Sequence, residues 1–187
     1  MVETATRRLP RVADTAWLKL MPPATRFVFN GDRAARDASV ASWGTAFPEE
    51  ACRAAANVDL ARAALWLGPD EYLLLDFGGG APAAEVAAGL EEALGDLAHS
   101  LVDVSHRQFG IELSGPFAAT ILSGACPLDL DLAAFPVGMC TRTVFAKADI
   151  TLWRTGADEF HVEVWRSFSG YVTGVMREIA AEFYPGT

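Results

Sequence analysis

Three histidines, three cysteines, a run of glycines and one arginine at a helix start are the residues of this 187-residue chain whose types could do chemistry. His106 stands in Asp103-Val104-Ser105-His106-Arg107, where an imidazole beside a carboxylate could act as acid and base. A Ser-His-Asp relay needs hydroxyl, ring and carboxylate aligned in that order, and three neighbours in one short loop do not achieve it by type alone. We read His106 as a polar residue entering a strand. His99 and His161 stand at no ligand spacing to it, and no Cys-x-x-Cys occurs, so a zinc site built by this chain alone is not expected. Cys126, in Ser123-Gly124-Ala125-Cys126-Pro127, would need a base to become a nucleophile, and the sequence supplies none nearby. A buried structural thiol is expected there. Gly78-Gly79-Gly80 follows a strand pattern and precedes a helix pattern, where a phosphate loop would sit. Counted as G-x-G-x-x-G, its sixth position is Ala83, and no Gly-Lys-Ser/Thr follows, so we read it as a strand-to-helix connection. Arg166 and Ser167 open the last helical pattern. An arginine there could hold a carboxylate or phosphate with the free N–H groups, or be an ordinary exposed or interface arginine. Trp43, Trp66, Trp153 and Trp165 read as core or interface anchors. The site expectation is therefore that no catalytic, cofactor-binding or metal-ligating residue is assigned.

The elements that would position these residues come in two copies. Phe27–Ala35, "FVFNGDRAA", matches Ile111–Ala119, "IELSGPFAA", and "WLGPDEY" from Trp66 matches "WRTGADEF" from Trp153. Gly31 and Gly115 lie 84 residues apart, and Gly68 and Gly156 lie 88 apart, which points to an internal duplication with a short insertion. Each half opens with a strand, Thr25–Asn30 or Arg107–Ser114, the second alternating Phe109, Ile111, Leu113 with period two. A helix follows, capped by Asp32 in the first half, begun by Pro116 and ended by Gly124 in the second. A further helical stretch is expected from Pro48, since Glu49 and Glu50 suit a helix start. Next come Ala63–Leu67 and Tyr72–Phe77 in one half. The other has Arg142–Arg154, bent near Lys147–Asp149, and Phe160–Trp165. Gly plus Asp-Glu between apolar strands is hairpin chemistry, and Tyr72 and Phe160 then begin the return strands. A helix closes each half: one with Val86, Leu90, Leu94 and Leu97 on one face, the other with Phe168, Tyr171, Val172, Val175, Met176, Ile179, Ala180 and Phe183, capped by Ser167. The fold class expected is α+β: two similar strand-helix-strand-strand-helix halves with mainly antiparallel sheets, over 25–104 and 105–187, after an arm over 1–24.

Composition narrows the partners. Hydrophobic residues make up 51% of the chain, enough for a packed interior. The net charge is −9, and it is uneven: residues 1–36 hold seven Arg/Lys against three Asp/Glu, the remainder eight against twenty-one. An acidic body repels phosphate backbones, so nucleic acid is not an expected partner. No apolar run reaches the roughly 18 residues of a membrane span, and the first twenty residues lack a signal-like apolar core, so no membrane contact and a cytoplasmic location are expected. Cys52, Cys126 and Cys140 read as reduced thiols.

The second half also carries a family resemblance. Asp103-Val104-Ser105-His106-Arg107, Ser114-Gly115-Pro116, Cys126-Pro127-Leu128-Asp129-Leu130, Phe135-Pro136 and Arg166-Ser167-Phe168, with Leu67-Gly68-Pro69-Asp70-Glu71 before them, resemble the gamma subunit of heterotetrameric sarcosine oxidase. The resemblance covers roughly residues 60–183. It implies the folate-binding fold of the glycine-cleavage T-protein and its relatives, whose Gly-x-x-Ala strand-to-helix element "LSGPFAATIL" looks like. It implies a complex that oxidises sarcosine to glycine with oxygen, giving hydrogen peroxide and formaldehyde, or 5,10-methylenetetrahydrofolate when tetrahydrofolate is present. FAD, FMN and NAD would belong to the alpha and beta subunits and zinc to the small delta subunit, leaving this chain a non-catalytic packing role with no cofactor of its own. The alternative is a stand-alone folate-binding protein of one-carbon metabolism, with Asp103 or Glu163 receiving the pterin.

Overall fold

The computed structural model describes residues 15–57 and 61–184. Along the chain run β1 (Leu18–Leu20), β2 (Thr25–Gly31), α1 (Arg33–Trp43), β3 (Ala54–Ala56), β4 (Arg62–Gly68), β5 (Glu71–Asp76), α2 (Ala83–Leu94) and β6 (His99–Asp103). Then follow β7 (Gln108–Ser114), α3 (Ala118–Ser123), β8 (Cys140–Phe145), β9 (Ala148–Gly156), β10 (Glu159–Trp165) and α4 (Ser169–Ala180). Two five-stranded sheets result, ordered β3-β4-β5-β2-β6 and β8-β9-β10-β7-β1, and every pairing is antiparallel. The orders correspond strand for strand, with β1 taking in the second sheet the place that β6 takes in the first. Leu18–Leu20 of the predicted arm thus pair with Ile111–Leu113 of the second half. Residues 1–14 of that arm lie outside the described residues.

Period-two alternation decides the layers. Phe27, Phe29, Tyr72 and Leu74 turn one face of the first sheet toward Ala35 and Trp43 of α1 and Val86, Leu90 and Leu94 of α2. Ile111, Leu113, Leu152, Phe160 and Val162 of the second sheet meet Ile121 and Leu122 of α3 and Val172 and Met176 of α4. The residues between, among them Ala63, Leu65, Leu73, Leu75, Cys140 and Trp153, form a third cluster where the two sheets face each other. The helices thus flank a two-sheet centre.

The repeated turn motif lands on equivalent hairpins. In the first, Trp66 pairs with Tyr72 and, after a bulge, Gly68 pairs with Glu71. In the second, Arg154 pairs with Phe160 and, after a bulge, Gly156 pairs with Glu159. The preceding Gly repeats as well: the Gly31 N–H donates to the Asp70 carbonyl at 3.0 Å, and the Gly115 N–H donates to the Asp158 carbonyl at 3.0 Å. Asp70 and Asp158 are exposed and belong to opposite sheets, so they do not converge on one pocket. Gly31 is required by close approach, since a Cβ there would lie 2.7 Å from the Phe29 ring and 2.8 Å from the Ala35 methyl.

Several local expectations are corrected. Arg142–Arg154 is a hairpin instead of one bent strand, because Ala146, at φ 53°, turns the chain in a two-residue loop that carries no glycine signal. The stretch from Pro48 is not helical. Its Pro48 carbonyl is taken by the Tyr72 hydroxyl at 2.9 Å, and Cys52, at φ 60°, turns the chain into a bridge between Arg53 and Met139. Pro116 precedes α3 by two residues, in the turn where the Ala118 N–H reaches the Gly115 carbonyl. Leu97 lies past the end of α2 and is 38% exposed. Ser167 does not cap α4. A 3-10 turn over Arg166–Phe168 leads into the helix, and the Ser169 hydroxyl donates back to the Arg166 carbonyl at 2.8 Å. Phe168 and Tyr171 face outward at 42% and 40% exposure, leaving Val172, Met176 and Ala180 as the buried stripe. The Asp32 cap is as expected, its carboxylate accepting from the Ala35 N–H at 3.0 Å.

Candidate functional site

Three inward-facing residues from two sheets make the most strongly charged buried cluster among the described residues. Arg26 on β2 reaches across to Glu163 on β10 in a two-pronged pair, Nε to Oε2 at 2.7 Å and Nη2 to Oε1 at 2.9 Å. His161, two residues before Glu163 and so on the same face, brings Nε2 to Oε1 at 2.8 Å. Arg26 is 2% exposed, His161 4% and Glu163 1%. Burial by itself pushes the Glu163 carboxyl up. The His161 hydrogen bond, the His161 charge and the Arg26 guanidinium outweigh it, and the net direction is below the usual carboxylate value. Glu163 is therefore ionised near neutral pH and only accepts, so in this contact the His161 Nε2–H donates. Phe77 and Trp153 lie edge-on to the imidazole at ring distances of 5.3 and 6.1 Å. Gly110, opposite Glu163 on β7, makes room: a Cβ there would sit 3.0 Å from both Arg26 Nη2 and His161 Cε1.

Beside this cluster lies a cavity of about 290 Å³ lined by Val28, Leu73, Gln108, Arg142, Glu163 and Trp165 among others. The Gln108 Oε1 is buried without a hydrogen-bond partner. The volume sits at the lower edge of the roughly 300–1,000 Å³ of ligand pockets. Of the two carboxylates that could receive a pterin, Glu163 borders this space with both oxygens already engaged by Arg26 and His161. Asp103 is exposed and turned into its own loop, accepting from the Ser105 N–H at 2.8 Å and hydroxyl at 2.6 Å.

The other sequence candidates fall into structural roles. Ser105 bonds Asp103 and accepts from the Arg26 N–H at 2.9 Å, while His106 is exposed and offers its carbonyl to Arg166 Nε at 3.0 Å. Among the described residues no hydroxyl-to-imidazole hydrogen bond forms in that loop. The Gly78 N–H donates to Asp76, whose carboxylate pairs with Arg62 at 2.8 Å, so the triple glycine turns the chain around a salt bridge. His99 ties β6 to the end of α2 through the Leu97 carbonyl at 2.7 Å and Glu91 at 2.8 Å, and these bonds raise its pKa. Among the described residues no group of three or more His, Cys, Asp or Glu is arranged to hold a metal ion. No described helix is long and apolar enough to cross a membrane.

Arg154 escaped the sequence reading altogether. It is 2% exposed and has no carboxylate partner among the described residues. Instead it donates to the Leu130 and Phe135 carbonyls at 2.9 Å each and to the Ala157 carbonyl, pinning the irregular Cys126–Phe135 stretch onto the second hairpin. Arg26 was missed for the same reason: an arginine inside a strand carries no local sign of the partner across the sheet interface.

The cysteines give a simple check. Cys140 is buried, its N–H donating to the Cys52 carbonyl at 2.9 Å, and burial, then the neighbouring Cys52, push its thiol up to about 12. Cys126 is buried near the Thr143 hydroxyl, and Cys52 is half-buried. With iodoacetamide at pH 8, followed by peptide mass spectrometry, Cys52 is expected to react first. Cys140 should stay unmodified until the chain unfolds.

Comparison with known proteins supplies the family. The profile of the sarcosine oxidase, gamma subunit family matches residues 30–182. The chain belongs to that family. A sarcosine oxidase subunit gamma from Corynebacterium sp. (strain P-1) is 36% identical over 75% of this chain and 66% of its own length. One from Arthrobacter sp. is 37% identical over 67% of this chain and 59% of its own. The chain thus spans about two thirds or less of these two gamma subunits. A chain of heterotetrameric sarcosine oxidase from Corynebacterium sp. U-96, solved in complex with pyrrole 2-carboxylate, superposes with a TM-score of 0.82 at 27% identity, covering 91% of this chain and 86% of that one. The glycine cleavage system aminomethyltransferase T from Bartonella henselae shares the fold, with a TM-score of 0.63 at 15% identity, over 85% of this chain and 44% of that one. The α+β class expected from the two half-copies is thus observed, as two antiparallel five-stranded sheets, and the fold resembles that of the T-protein, as the gamma-subunit resemblance implied.

Proposed function

We propose that this chain is a non-catalytic, gamma-type subunit of a heterotetrameric sarcosine oxidase, with a structural and assembly role. The complex would oxidatively demethylate sarcosine to glycine, giving hydrogen peroxide and formaldehyde or 5,10-methylenetetrahydrofolate. Its partners would be alpha, beta and delta subunits, and FAD, FMN, NAD, tetrahydrofolate and zinc would reside on those. The observation that carries this reading is the match along 91% of the chain to a chain of a heterotetrameric sarcosine oxidase. The interior agrees with it, since the buried Arg26, His161 and Glu163 satisfy one another. In this reading the chain divides into an arm over 1–24 and halves over 25–104 and 105–187, and works in the cytoplasm. The purified chain alone is expected to show no flavin absorbance and to release no peroxide from sarcosine. Peroxide release by the isolated chain would contradict the non-catalytic role.

A second reading, a stand-alone folate-binding protein of one-carbon metabolism, is favoured by the cavity beside Glu163 and the unpartnered Gln108 Oε1. Calorimetric titration with tetrahydrofolate separates the two: no heat at millimolar ligand removes it.

A further inference from the structure

The chain leaves β10 through four consecutive exposed residues, Trp165, Arg166, Ser167 and Phe168, and Tyr171 follows on the first turn of α4. Trp165, Phe168 and Tyr171 are 49%, 42% and 40% exposed. Large aromatic side chains left in water within seven residues forgo the stabilisation that burial would give each of them. Beside them α4 carries exposed Gly170 and Gly174, where an added Cβ would meet nothing within 4 Å. Glycine is a poor helix former beside alanine, and among the described residues no contact requires it at either position.

The rim of this face is basic. The Arg107 guanidinium lies 5.5 Å from the centre of the Trp165 ring, and Arg166 Nε donates to the His106 carbonyl. Neither arginine has a carboxylate partner among the described residues, whereas Arg26, Arg33, Arg36, Arg53, Arg62 and Arg142 all do. On a chain with 24 acidic and 15 basic residues, two such arginines beside three aromatics call for an occupant with carboxylates at the matching positions. Tryptophan, tyrosine and arginine are also the residues that dominate binding energy at protein interfaces. A second copy of this chain does not fit, because a twofold contact would place the same aromatics and arginines on both sides and bring no carboxylate from this patch.

We propose that the face formed by Trp165, Phe168 and Tyr171, rimmed by Arg107 and Arg166, is where this chain docks on a larger subunit of the oxidase, through a surface of apolar pockets bordered by carboxylates. This rests on the gamma-subunit reading.

The test is co-expression of the full chain with the other subunits of its oxidase, one of them tagged, and quantification of the captured chain. Phe168→Asp with Tyr171→Asp is expected to reduce capture at least tenfold, and Arg166→Glu to reduce it severalfold and weaken its dependence on salt. Leu132→Asp, at a 49% exposed leucine in the Cys126–Phe135 stretch, should be captured like wild type. If the aspartate pair lowers the melting temperature of the isolated chain, Phe168→Ser with Tyr171→Ser replaces it, with the same expectation. Undiminished capture of a folded Phe168/Tyr171 variant overturns the docking face while leaving the subunit reading intact. Failure of the wild-type chain to be captured overturns the subunit reading, and this inference with it. A wild-type dimer that Phe168→Asp converts to a monomer would assign the face to self-association and overturn the proposal.

Discussion

Glu163→Gln is expected to cost the isolated chain about 3–5 kcal/mol, because it leaves the Arg26 guanidinium charged and buried without its carboxylate. For a chain of this size that corresponds to a fall of roughly 6–20 °C in melting temperature. Arg26→Met should cost a similar amount, since Glu163 would then face the interior with only His161 beside it. Removing both, as Arg26→Met with Glu163→Leu, should cost less than the sum of the two, because neither charge is then stranded. The pH dependence follows from the lowered carboxyl of Glu163. A carboxyl held below its unfolded value of about 4.3 contributes stability that is fully present above that pH and is lost as pH falls through the folded value. The gap between wild type and Glu163→Gln should therefore stay constant from pH 7 to about pH 5 and narrow in more acidic buffer. Urea unfolding followed by tryptophan fluorescence measures it. Single variants each costing under about 1 kcal/mol would mean that the cross-sheet pair is not a structural keystone.

The second large effect falls on the paired aromatics. Tyr72→Ala and Phe160→Ala are each expected to cost about 3–5 kcal/mol, as both rings are fully buried at the start of a return strand. Their surroundings differ in chemistry and agree in role. Tyr72 sits against Phe47 and Phe29, accepts from Arg36 at 2.6 Å and donates to the Pro48 carbonyl at 2.9 Å. Phe160 lies under the Arg154 guanidinium, 4.7 Å from the ring centre. Tyr72→Phe should therefore lose only about 1–2 kcal/mol, from its two hydrogen bonds. The two alanine effects should add, since the rings belong to opposite sheets and separate clusters. A large cost at one position and a negligible one at the other would break the equivalence of the two hairpins as anchors.

Local chemistry made the duplicated plan legible. Gly31 and Gly115, and the Gly-x-Asp-Glu turns that follow, are short-range signals, and each lands where its twin does. The Asp32 cap and the Val86, Leu90, Leu94 stripe are equally local. The Ala146-Lys147 hairpin was hidden because a positive φ at an alanine leaves no mark in residue type. The helix expected from Pro48 failed because a tertiary bond from Tyr72 and the bridge to Met139 outweighed two glutamates at a possible helix start. Glu163 was visible as one of two carboxylates, and His161 only as an isolated ring. Their convergence with Arg26, 137 residues from Glu163 in the chain, depends on two sheets meeting face to face, which no spacing encodes.

Under the proposed function this chain is an assembly component of a multisubunit oxidase. Its most direct test is the native mass of the material purified after co-expression with the alpha, beta and delta chains of the same source. The account predicts one species containing this chain in equal proportion with the flavin-bearing subunits, with sarcosine-dependent peroxide release confined to that species. This chain migrating alone, while the remaining subunits assemble and turn over sarcosine without it, would contradict the account.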